Sequence, residues 1–397
     1  MRPSCALSTA VLALLAISAA ASAGELEVKD LRSEALDQTL KVNILLPDGY
    51  RDDATRRFPV VYLLHGFGGD YREWERVGVV PEAAGLAAIV VMPEGDKSFY
   101  VNHHEDMKAR WEDYISKELV AFVDAGYRTL AQREGRAISG LSMGGYGAMA
   151  VGLRHPELYA SVASHSGAVG VPNFTADGEI AQRLLKIFGP EGSKARTDYD
   201  LFRLVKDLAP AQRPHIYIDC GSGDFLLDSN RKFVAHLATL KVPYEYRETP
   251  GGHDFRYWKS NVRYSLTQQL KALETAAQTK KELVASSESG GDFAGAWKLT
   301  VNYGDQGLDY DLRIQQEAGT WKAVLISPRS GEHPFKSVSV KDGALRMEID
   351  RDIEGNSVTF VYEGKLQEGK LKGKVTLAGQ SDFSGEFEGE KKKATSL

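Results

Sequence analysis

A serine lies between two glycines in the segment AISGLSMGGYGAMAVGLRHPE, which begins at Ala137. A short apolar run precedes this serine, Ser142, and a helix-like apolar pattern follows it. The surrounding GLSMG matches G-x-S-x-G, in which a nucleophilic serine occupies a strained turn between a strand and a helix. Glycines let the backbone bend there without a Cβ clash. The pattern predicts a nucleophile at Ser142 and an oxyanion-stabilising N–H at Met143, whereas the alternative is a plain strand-to-helix turn.

A second glycine-rich loop, HGFGGD, follows the apolar run VVYLL and extends from His65 to Asp70. Such a loop can supply a second oxyanion donor, because small residues let the backbone approach the substrate closely. We predict the N–H of Phe67 as this donor and a structural role for His65. A phosphate-binding loop is the alternative, but the spacing matches neither G-x-x-x-x-G-K-[ST] nor G-x-G-x-x-G.

A serine hydroxyl needs a base to take its proton and a carboxylate to orient that base. His253 follows a predicted strand on a Gly-Gly loop, in TPGGHDFRYW, where it can reach the sheet edge. The segment HIYIDCGSGDFLLDSN offers three carboxylates. Asp219 lies inside a predicted strand and Asp228 resembles a helix N-cap, so Asp224 in the loop is the predicted acid. The chain order serine, aspartate, histidine is that of α/β-hydrolases.

Five segments together resemble the putative-esterase family of α/β-hydrolases, which includes tributyrin and feruloyl esterases, esterase D (S-formylglutathione hydrolase) and the mycolyltransferases. These segments are LLHGFGGD, WEDYI, SGLSMGGYGA, DCGSGDFLLDSNRKF and PGGHDFRYW, between Leu26 and Leu273. The resemblance implies an α/β-hydrolase with a mostly parallel sheet and no metal or organic cofactor. It also implies a nucleophile, an acid, a base and two oxyanion donors, at Ser142, Asp224, His253, Phe67 and Met143.

Aromatic residues near these motifs are candidates for an acyl or aryl pocket, although about half of them are expected only to pack in the core. The predicted pocket residues are Trp74, Tyr100, Phe225 and Trp258. The adjacent His103 and His104 could suggest a metal, but they lack the i,i+4 spacing and a third ligand. No metal site is therefore predicted.

Apolar runs alternate with amphipathic stretches between Leu26 and Leu283, as in a mostly parallel sheet flanked by helices. Continuous apolar runs favour strands that are buried on both faces. The predicted strands are LKVNILLP, FPVVYLLHG, AAIVVMPEG, RAISGLS, YASVASHSG, PHIYIDCGS and YEYRETPG. Residues 171–210 do not follow this alternation of apolar runs and amphipathic stretches. We expect them to form either an insertion over the carboxyl edge of the sheet or a solvated connector.

Composition divides the 397 residues into four parts. An arginine, an apolar run and the small residues Ala21-Ser22-Ala23 predict a signal peptide over 1–23, because the run is shorter than a membrane-spanning helix needs. An α/β-hydrolase esterase domain over 24–283 and a flexible linker over 284–292 follow. Alternating short segments then predict a small all-β, barrel-like accessory domain over 293–397.

The formal net charge of −5 and the lack of a long basic block argue against nucleic acid or an anionic membrane as a partner. We expect an exported serine esterase, periplasmic or secreted, that hydrolyses small or polymer-linked carboxylic esters with short acyl or aryl acyl groups. An acyltransferase with the same triad and a thioester hydrolase of the S-formylglutathione type are the alternatives with related chemistry. A binding module on an inert hydrolase fold is the alternative without catalysis.

Overall fold

The computed structural model describes residues 24–173, 177–289 and 293–392, except 304, 305, 318, 342 and 354. The predicted signal peptide over 1–23 lies outside the described residues. The chain divides into two compact units between Ala277 and Gln278. The predicted boundary after residue 283 therefore lies close to the observed division.

The first unit is built on a single sheet. Its strands are β1 Leu26–Ser33, β2 Gln38–Leu45, β3 Val60–Leu64, β4 Ile89–Pro93, β5 Arg136–Leu141, β6 Ser161–His165, β7 His215–Gly221 and β8 Glu245–Thr249. Their order in the sheet is β1-β2-β4-β3-β5-β6-β7-β8. The β1–β2 and β2–β4 pairs are antiparallel, and all the others are parallel. This sheet confirms the predicted α/β class, and β1 is the one strand of the unit that the sequence pattern did not predict.

Both faces of this sheet are buried, as the continuous apolar runs predicted. Successive side chains of a strand point to opposite faces. In β3, Val60, Tyr62 and Leu64 belong to one apolar core cluster, whereas Val61 and Leu63 belong to another. The two clusters cover the two faces of the sheet, so polar groups can reach solvent mainly at the strand ends.

Helices connect the strands and cover the sheet. They are α1 Glu73–Val77, α2 Val79–Glu82, α3 Trp111–Asp113, α4 Val120–Gly126, α5 Met143–Arg154, α6 Gly178–Phe188, α7 Lys194–Asp198, α8 Leu201–Asp207, α9 Leu227–Thr239 and α10 Phe255–Ser289. A π-helical turn, Tyr114–Leu119, joins α3 to α4, and short 3-10 turns occupy Arg133–Gly135 and Pro210–Gln212. The helices α6 to α8 lie in the segment 171–210 that departs from the alternating pattern, and turns and extended residues separate them.

The predicted linker over 284–292 is corrected by the structure, because α10 continues through Ser289. Alanine and glutamate are good helix formers, serine costs little, and no glycine or proline occurs before Gly290. The loss of apolar residues in this segment therefore does not end the helix. Although α10 has 35 residues, none of the helices described here is both long and apolar enough to cross a membrane.

The second unit is an antiparallel all-β sheet. Its nine strands are β9 Gly295–Tyr303, β10 Gln306–Glu317, β11 Thr320–Ser327, β12 Gly331–Pro334, β13 Ser337–Lys341, β14 Ala344–Ile353, β15 Asn356–Gln367, β16 Lys370–Leu377 and β17 Gln380–Lys391. Their order is β12-β11-β10-β9-β17-β16-β15-β14-β13. Among the described residues the end strands β12 and β13 do not pair with each other, so the all-β class is observed and barrel closure stays a prediction.

Candidate active site

Ser142 occupies the turn between β5 and α5 with a strained backbone, φ 55° and ψ −116°. A non-glycine residue in such a conformation persists only where its surroundings hold it. Here the Ser142 N–H donates to the carbonyl of His165 at 2.9 Å. The Ser142 carbonyl accepts from the N–H groups of Ala168 at 3.0 Å and Tyr146 at 3.2 Å. The turn is therefore held by the carboxyl end of β6 and by the first turn of α5.

The two glycines of the G-x-S-x-G pattern are needed for close backbone contacts. A Cβ on Gly140 would lie 2.2 Å from the carbonyl oxygen of Gly144. A Cβ on Gly144 would lie 2.3 Å from the carbonyl oxygen of Leu64, the last residue of β3. Real Cβ atoms do not come this close to backbone. The glycines thus let α5 begin directly against the ends of β5 and β3.

His253 joins Ser142 to a buried carboxylate. Its Nε2 lies 2.9 Å from the Ser142 Oγ, and its Nδ1 lies 2.9 Å from Asp224 Oδ2 and 3.1 Å from Oδ1. With the Nδ1–H donated to the carboxylate, Nε2 is left to accept the serine proton. The imidazole contacts two aromatic rings, with centroid distances of 4.6 Å to Phe225 and 5.0 Å to Trp258. These contacts limit the orientations that the ring can take.

Asp224 is held as a carboxylate in the loop after β7. Burial raises its pKa, but hydrogen bonds from His253 and from the Leu226 N–H, at 2.8 Å, outweigh burial and place the pKa below its usual value. The two competing carboxylates are located elsewhere. Asp219 is fully buried in β7, 2.7 Å from the Nδ1 of His165. Asp228 is exposed in the first turn of α9, which begins at Leu227, so it does not occupy the N-cap position that the sequence suggested.

The two predicted oxyanion donors belong to different segments that meet at Ser142. Met143 is the first residue of α5, where backbone N–H groups have no intrahelical acceptor. Phe67 belongs to the loop after β3, and both residues line one cavity together with Ser142. Within the described part of the chain, neither N–H has a backbone acceptor in a turn or loop. Both groups are therefore available to an oxygen bound at Ser142.

Two side chains hold the Phe67 loop in place. Glu73 is buried at the start of α1, and its Oε2 accepts the Gly66 N–H at 2.6 Å. His65 has the structural role that the sequence predicted, because its Nδ1–H donates to the Gly66 carbonyl at 2.8 Å while Nε2 accepts the Gly95 N–H at 2.8 Å. The sequence analysis missed Glu73. Its only sequence signal is its position just after the glycine-rich loop, which does not reveal that the side chain turns back into that loop.

Two cavities open at Ser142. The first has a volume of about 210 Å³ and is almost entirely apolar. The residues that give it this character include Phe67, Phe99, Val171, Ile180, Leu184 and Phe225. The second has a volume of about 410 Å³ and is more polar. It is lined by Gly66, Phe67, Glu73, Leu141, Ser142, His253, Asp254, Phe255 and Trp258.

The predicted pocket residues divide into two pairs. Phe225 lines the apolar cavity and Trp258 lines the polar one. Trp74 and Tyr100 line neither cavity, so their assignment to the pocket is corrected. Both are buried: the Trp74 Nε1–H donates to the Leu64 carbonyl at 2.9 Å, and the Tyr100 hydroxyl donates to the His65 carbonyl at 3.0 Å. Each side chain is thus hydrogen-bonded to backbone at the end of β3 and does not line a cavity at Ser142.

The insertion contributes to the apolar cavity in a way that the sequence analysis did not specify. Ile180 and Leu184 of α6 line this cavity, and their spacing of four residues places them on one face of the helix.

No three His, Cys, Asp or Glu side chains come close enough to hold a metal ion in the parts of the chain that the structure describes.

The fold and the site together define a class. A serine bonded to a histidine that is bonded to a carboxylate, at the carboxyl edge of a mostly parallel sheet, is the arrangement of serine hydrolases with the α/β-hydrolase fold. Residues 33–269 match the family model described as putative esterase, and the chain belongs to this family. The resemblance inferred from the sequence is confirmed.

Individual relatives agree with this assignment. An esterase of Mycobacterium tuberculosis is 31% identical over 54% of this chain and 52% of its own length. An acetyl esterase of Caldicellulosiruptor saccharolyticus is 28% identical over 53% of this chain and 83% of its own length. A substrate-bound structure of the fluorophosphonate-binding serine hydrolase F of Staphylococcus aureus matches with a TM-score of 0.57 and 25% identity, over 62% of this chain and 98% of that chain. This chain spans about half the length of the mycobacterial relative.

Proposed function

We propose that this chain is a serine esterase that hydrolyses carboxylic esters through an acyl-enzyme on Ser142. The observation that carries the proposal is the hydrogen-bonded series Ser142, His253 and Asp224, which opens onto an apolar cavity beside two available backbone N–H groups. Membership of the putative-esterase family supports it. So does the similarity to the acetyl esterase and to the serine hydrolase.

The reaction follows from the geometry. His253 Nε2 takes the proton of the Ser142 hydroxyl as Oγ attacks the ester carbonyl, and Asp224 stabilises the imidazolium that forms. The N–H groups of Phe67 and Met143 stabilise the oxyanion of the tetrahedral intermediate. His253 then gives its proton to the leaving oxygen, and the acyl group stays on Ser142. Water, activated by the same histidine, releases the acid in the second half of the reaction.

The apolar cavity supports a short acyl or aryl acyl group. At about 30 Å³ per water-sized group, its volume of about 210 Å³ holds about seven heavy atoms. Its lining offers almost no partner for a charged acid, whose burial without a counter-ion is costly. A butyryl group, with about five heavy atoms, fits this limit, and a benzoyl group, with about eight, lies at its edge.

The remaining parts of the chain have accessory roles in this proposal. Residues 1–23 have the pattern of a signal peptide, and we propose that the protein is exported to the periplasm or secreted. The described residues that line the two cavities at Ser142 belong to the first unit. We propose that it is a barrel-like accessory domain that acts on the location of the enzyme or on access to polymer-linked esters.

Replacement of the nucleophile tests the proposal. In Ser142→Ala, kcat on p-nitrophenyl butyrate should fall by about 10⁶-fold, because no other group can form the acyl-enzyme. The matched control is Ser260→Ala, which removes an exposed hydroxyl from α10 and should leave kcat within about twofold. Circular dichroism and the melting temperature establish that both variants are folded. Activity retained in a folded Ser142→Ala protein would overturn the assignment.

Product analysis separates hydrolysis from the related reactions. With p-nitrophenyl butyrate in water, hydrolysis yields butyrate in a 1:1 ratio to nitrophenol whether or not an alcohol acceptor is added. A predominant butyryl ester of the added alcohol would make the enzyme an acyltransferase. A kcat/KM for S-formylglutathione that exceeds every oxygen ester tested would make it a thioester hydrolase.

A further inference from the structure

The two cavities at Ser142 have different access to the catalytic base. His253 must give its proton to the leaving oxygen, so the leaving alcohol must lie on the side that the imidazole faces. His253 lines the polar cavity of about 410 Å³ but does not line the apolar one. Met143, the donor at the start of α5, lines only the apolar cavity. The alcohol therefore occupies the polar cavity, and the acyl group occupies the apolar one.

The polar cavity carries negative charge. Its two charged residues are Glu73 and Asp254, and no lysine or arginine lines it. Glu73 is buried, with one carboxylate oxygen bonded to the Gly66 N–H. Asp254 Oδ1 accepts the N–H groups of Arg256 at 2.9 Å and Tyr257 at 3.1 Å, in the first turn of α10. Both carboxylates are thus fixed by backbone donors within the wall of the cavity.

Two cations lie near the ring of Phe67, which lines both cavities. Lys97 and Arg183 lie 5.4 Å and 5.9 Å from the centre of the Phe67 ring, and neither lines the polar cavity. Arg183 belongs to α6, whose Ile180 and Leu184 line the apolar cavity. The aromatic rings of Phe255 and Trp258 complete the wall on the alcohol side. Aromatic faces next to carboxylates attract cations and repel anions.

We propose that the alcohol side of this site selects by charge: it accepts cationic leaving alcohols, tolerates neutral ones and rejects anionic ones. The inference rests on the proposed esterase function, since it concerns the leaving group of that reaction. The carboxylates of Glu73 and Asp254 act on a charge carried by the alcohol, not on the carbonyl that reacts. Selection should therefore appear in kcat/KM when the acyl group is kept constant.

Three aryl butyrates with the same acyl group provide the test. They are the esters of 3-(trimethylammonio)phenol, 3-tert-butylphenol and 3-carboxyphenol, which present a cationic, a neutral and an anionic substituent of similar size. Each kcat/KM is divided by the rate constant for hydroxide-catalysed hydrolysis of the same ester, which corrects for leaving-group reactivity. The cationic ester should exceed the anionic ester by about tenfold or more at low ionic strength, and the ratio should fall as salt is added.

Variants connect this ratio to the two carboxylates. Glu73→Gln retains an oxygen that can accept the Gly66 N–H, and Asp254→Asn retains the helix cap. Each should lower the cationic-to-anionic ratio by about threefold or more. The matched control is Asp228→Asn, which makes the same change in net charge at an exposed carboxylate outside the cavity and should leave the ratio unchanged.

The possible results distinguish the inference from the function on which it rests. Equal normalised kcat/KM values for the three esters, or a higher value for the anionic ester, would overturn the charge selection. So would a change in the cationic-to-anionic ratio that is the same in Asp228→Asn as in the two cavity variants. In all of these cases the esters are still hydrolysed. If none of the three esters is hydrolysed by a folded enzyme, the proposed esterase function itself fails.

Discussion

The two units of this protein bury different kinds of side chain. The first unit buries several polar and charged groups at the carboxyl edge of its sheet, among them His65, His165, Asp219 and Asp224. In the described part of the second unit, Ser327 is the one buried polar residue apart from the aromatic ones. Buried polar groups cost free energy unless they are bonded or used. The first unit thus keeps buried polar side chains, which cost free energy, at the sheet edge where the candidate site lies. The core of the second unit, as described, is formed mainly by apolar packing.

Backbone strain follows the same division. Ser142 and Ser166, which follow β5 and β6, have positive φ angles of 55° and 48°. In the second unit as described, Glu368 is the one non-glycine residue with a positive φ, 51°, and it lies in the tight turn between β15 and β16. A hairpin turn of two residues requires such an angle. The positive φ in the second unit is thus explained by the turn. In the described part of the first unit seven non-glycine residues have a positive φ, and two of them, Ser142 and Ser166, lie at the ends of neighbouring strands at the candidate site.

Loss of the buried acid gives the largest effect expected from this comparison. Asp224→Asn should lower kcat on p-nitrophenyl butyrate by about 10⁴-fold, because the amide no longer stabilises the imidazolium and favours the wrong tautomer of His253. Steady-state kinetics measure the loss. Asp228→Asn is the control, and a greater loss in that variant would transfer the role of the acid to Asp228.

A buried carboxylate away from Ser142 tests whether such a group in the first unit serves only stability. Glu112 in α3 accepts hydrogen bonds from Arg154 and His155, each at 2.8 Å. Burial raises its pKa, but bonds from His155 and Arg154 outweigh burial and lower the pKa to about 2. Glu112→Gln should destabilise the first unit by about 3 kcal/mol, because it removes the buried carboxylate that Arg154 and His155 share.

The pH dependence of this variant has a defined sign. A carboxylate with a lowered pKa in the folded state adds stability above its unfolded pKa, near 4.5, and this contribution is lost as the pH falls through the folded value of about 2. The difference between wild type and Glu112→Gln should therefore be full at pH 6 and narrow below about pH 4.5. Far-UV ellipticity at 222 nm in urea reports unfolding of the helices described in the first unit at each pH. A difference that widens on acidification would contradict the structural role.

A core substitution in the second unit should lower the stability of that unit and leave the catalytic rate unchanged. Trp297 is buried in the apolar core of this unit, where its Nε1–H donates to the Phe293 carbonyl at 2.8 Å. Trp297→Ala should destabilise the unit by about 3–5 kcal/mol and increase its sensitivity to limited proteolysis. Turnover of p-nitrophenyl butyrate should stay within about twofold of wild type. A large loss of kcat would show that the second unit contributes to the reaction.

Removal of the second unit gives the smallest effect expected on small esters. A chain that ends at Ser289 retains all the residues that line the two cavities at Ser142, and its kcat/KM for p-nitrophenyl butyrate should change by less than about twofold. The matching assay uses a polymer-linked ester. A decrease confined to the polymer would support an accessory role for the second unit, and equal decreases on both substrates would contradict it.

The side chains of the candidate triad could be selected from the sequence because their signals are local. The glycines around Ser142 report a turn that has no space for a Cβ, and the Gly-Gly loop before His253 reports a strand end. Asp224 could be preferred over Asp219 because a continuous apolar run marks the strand in which Asp219 is buried. In each case, the neighbours in sequence determine the backbone on which the side chain is placed.

The walls of the site were decided only by tertiary structure. The sequence pattern shows that Trp74 and Tyr100 are apolar and near a motif, but not that they pack below the loops. Nor does it show that Ile180 faces Ser142 or that Glu73 turns into the Phe67 loop. The physical reason is that periodicity determines which face of an element is buried, whereas the group against which it is buried depends on residues far along the chain. Sequence alone therefore predicted the groups that meet at the candidate site of this protein, and tertiary structure decided the two cavities around them.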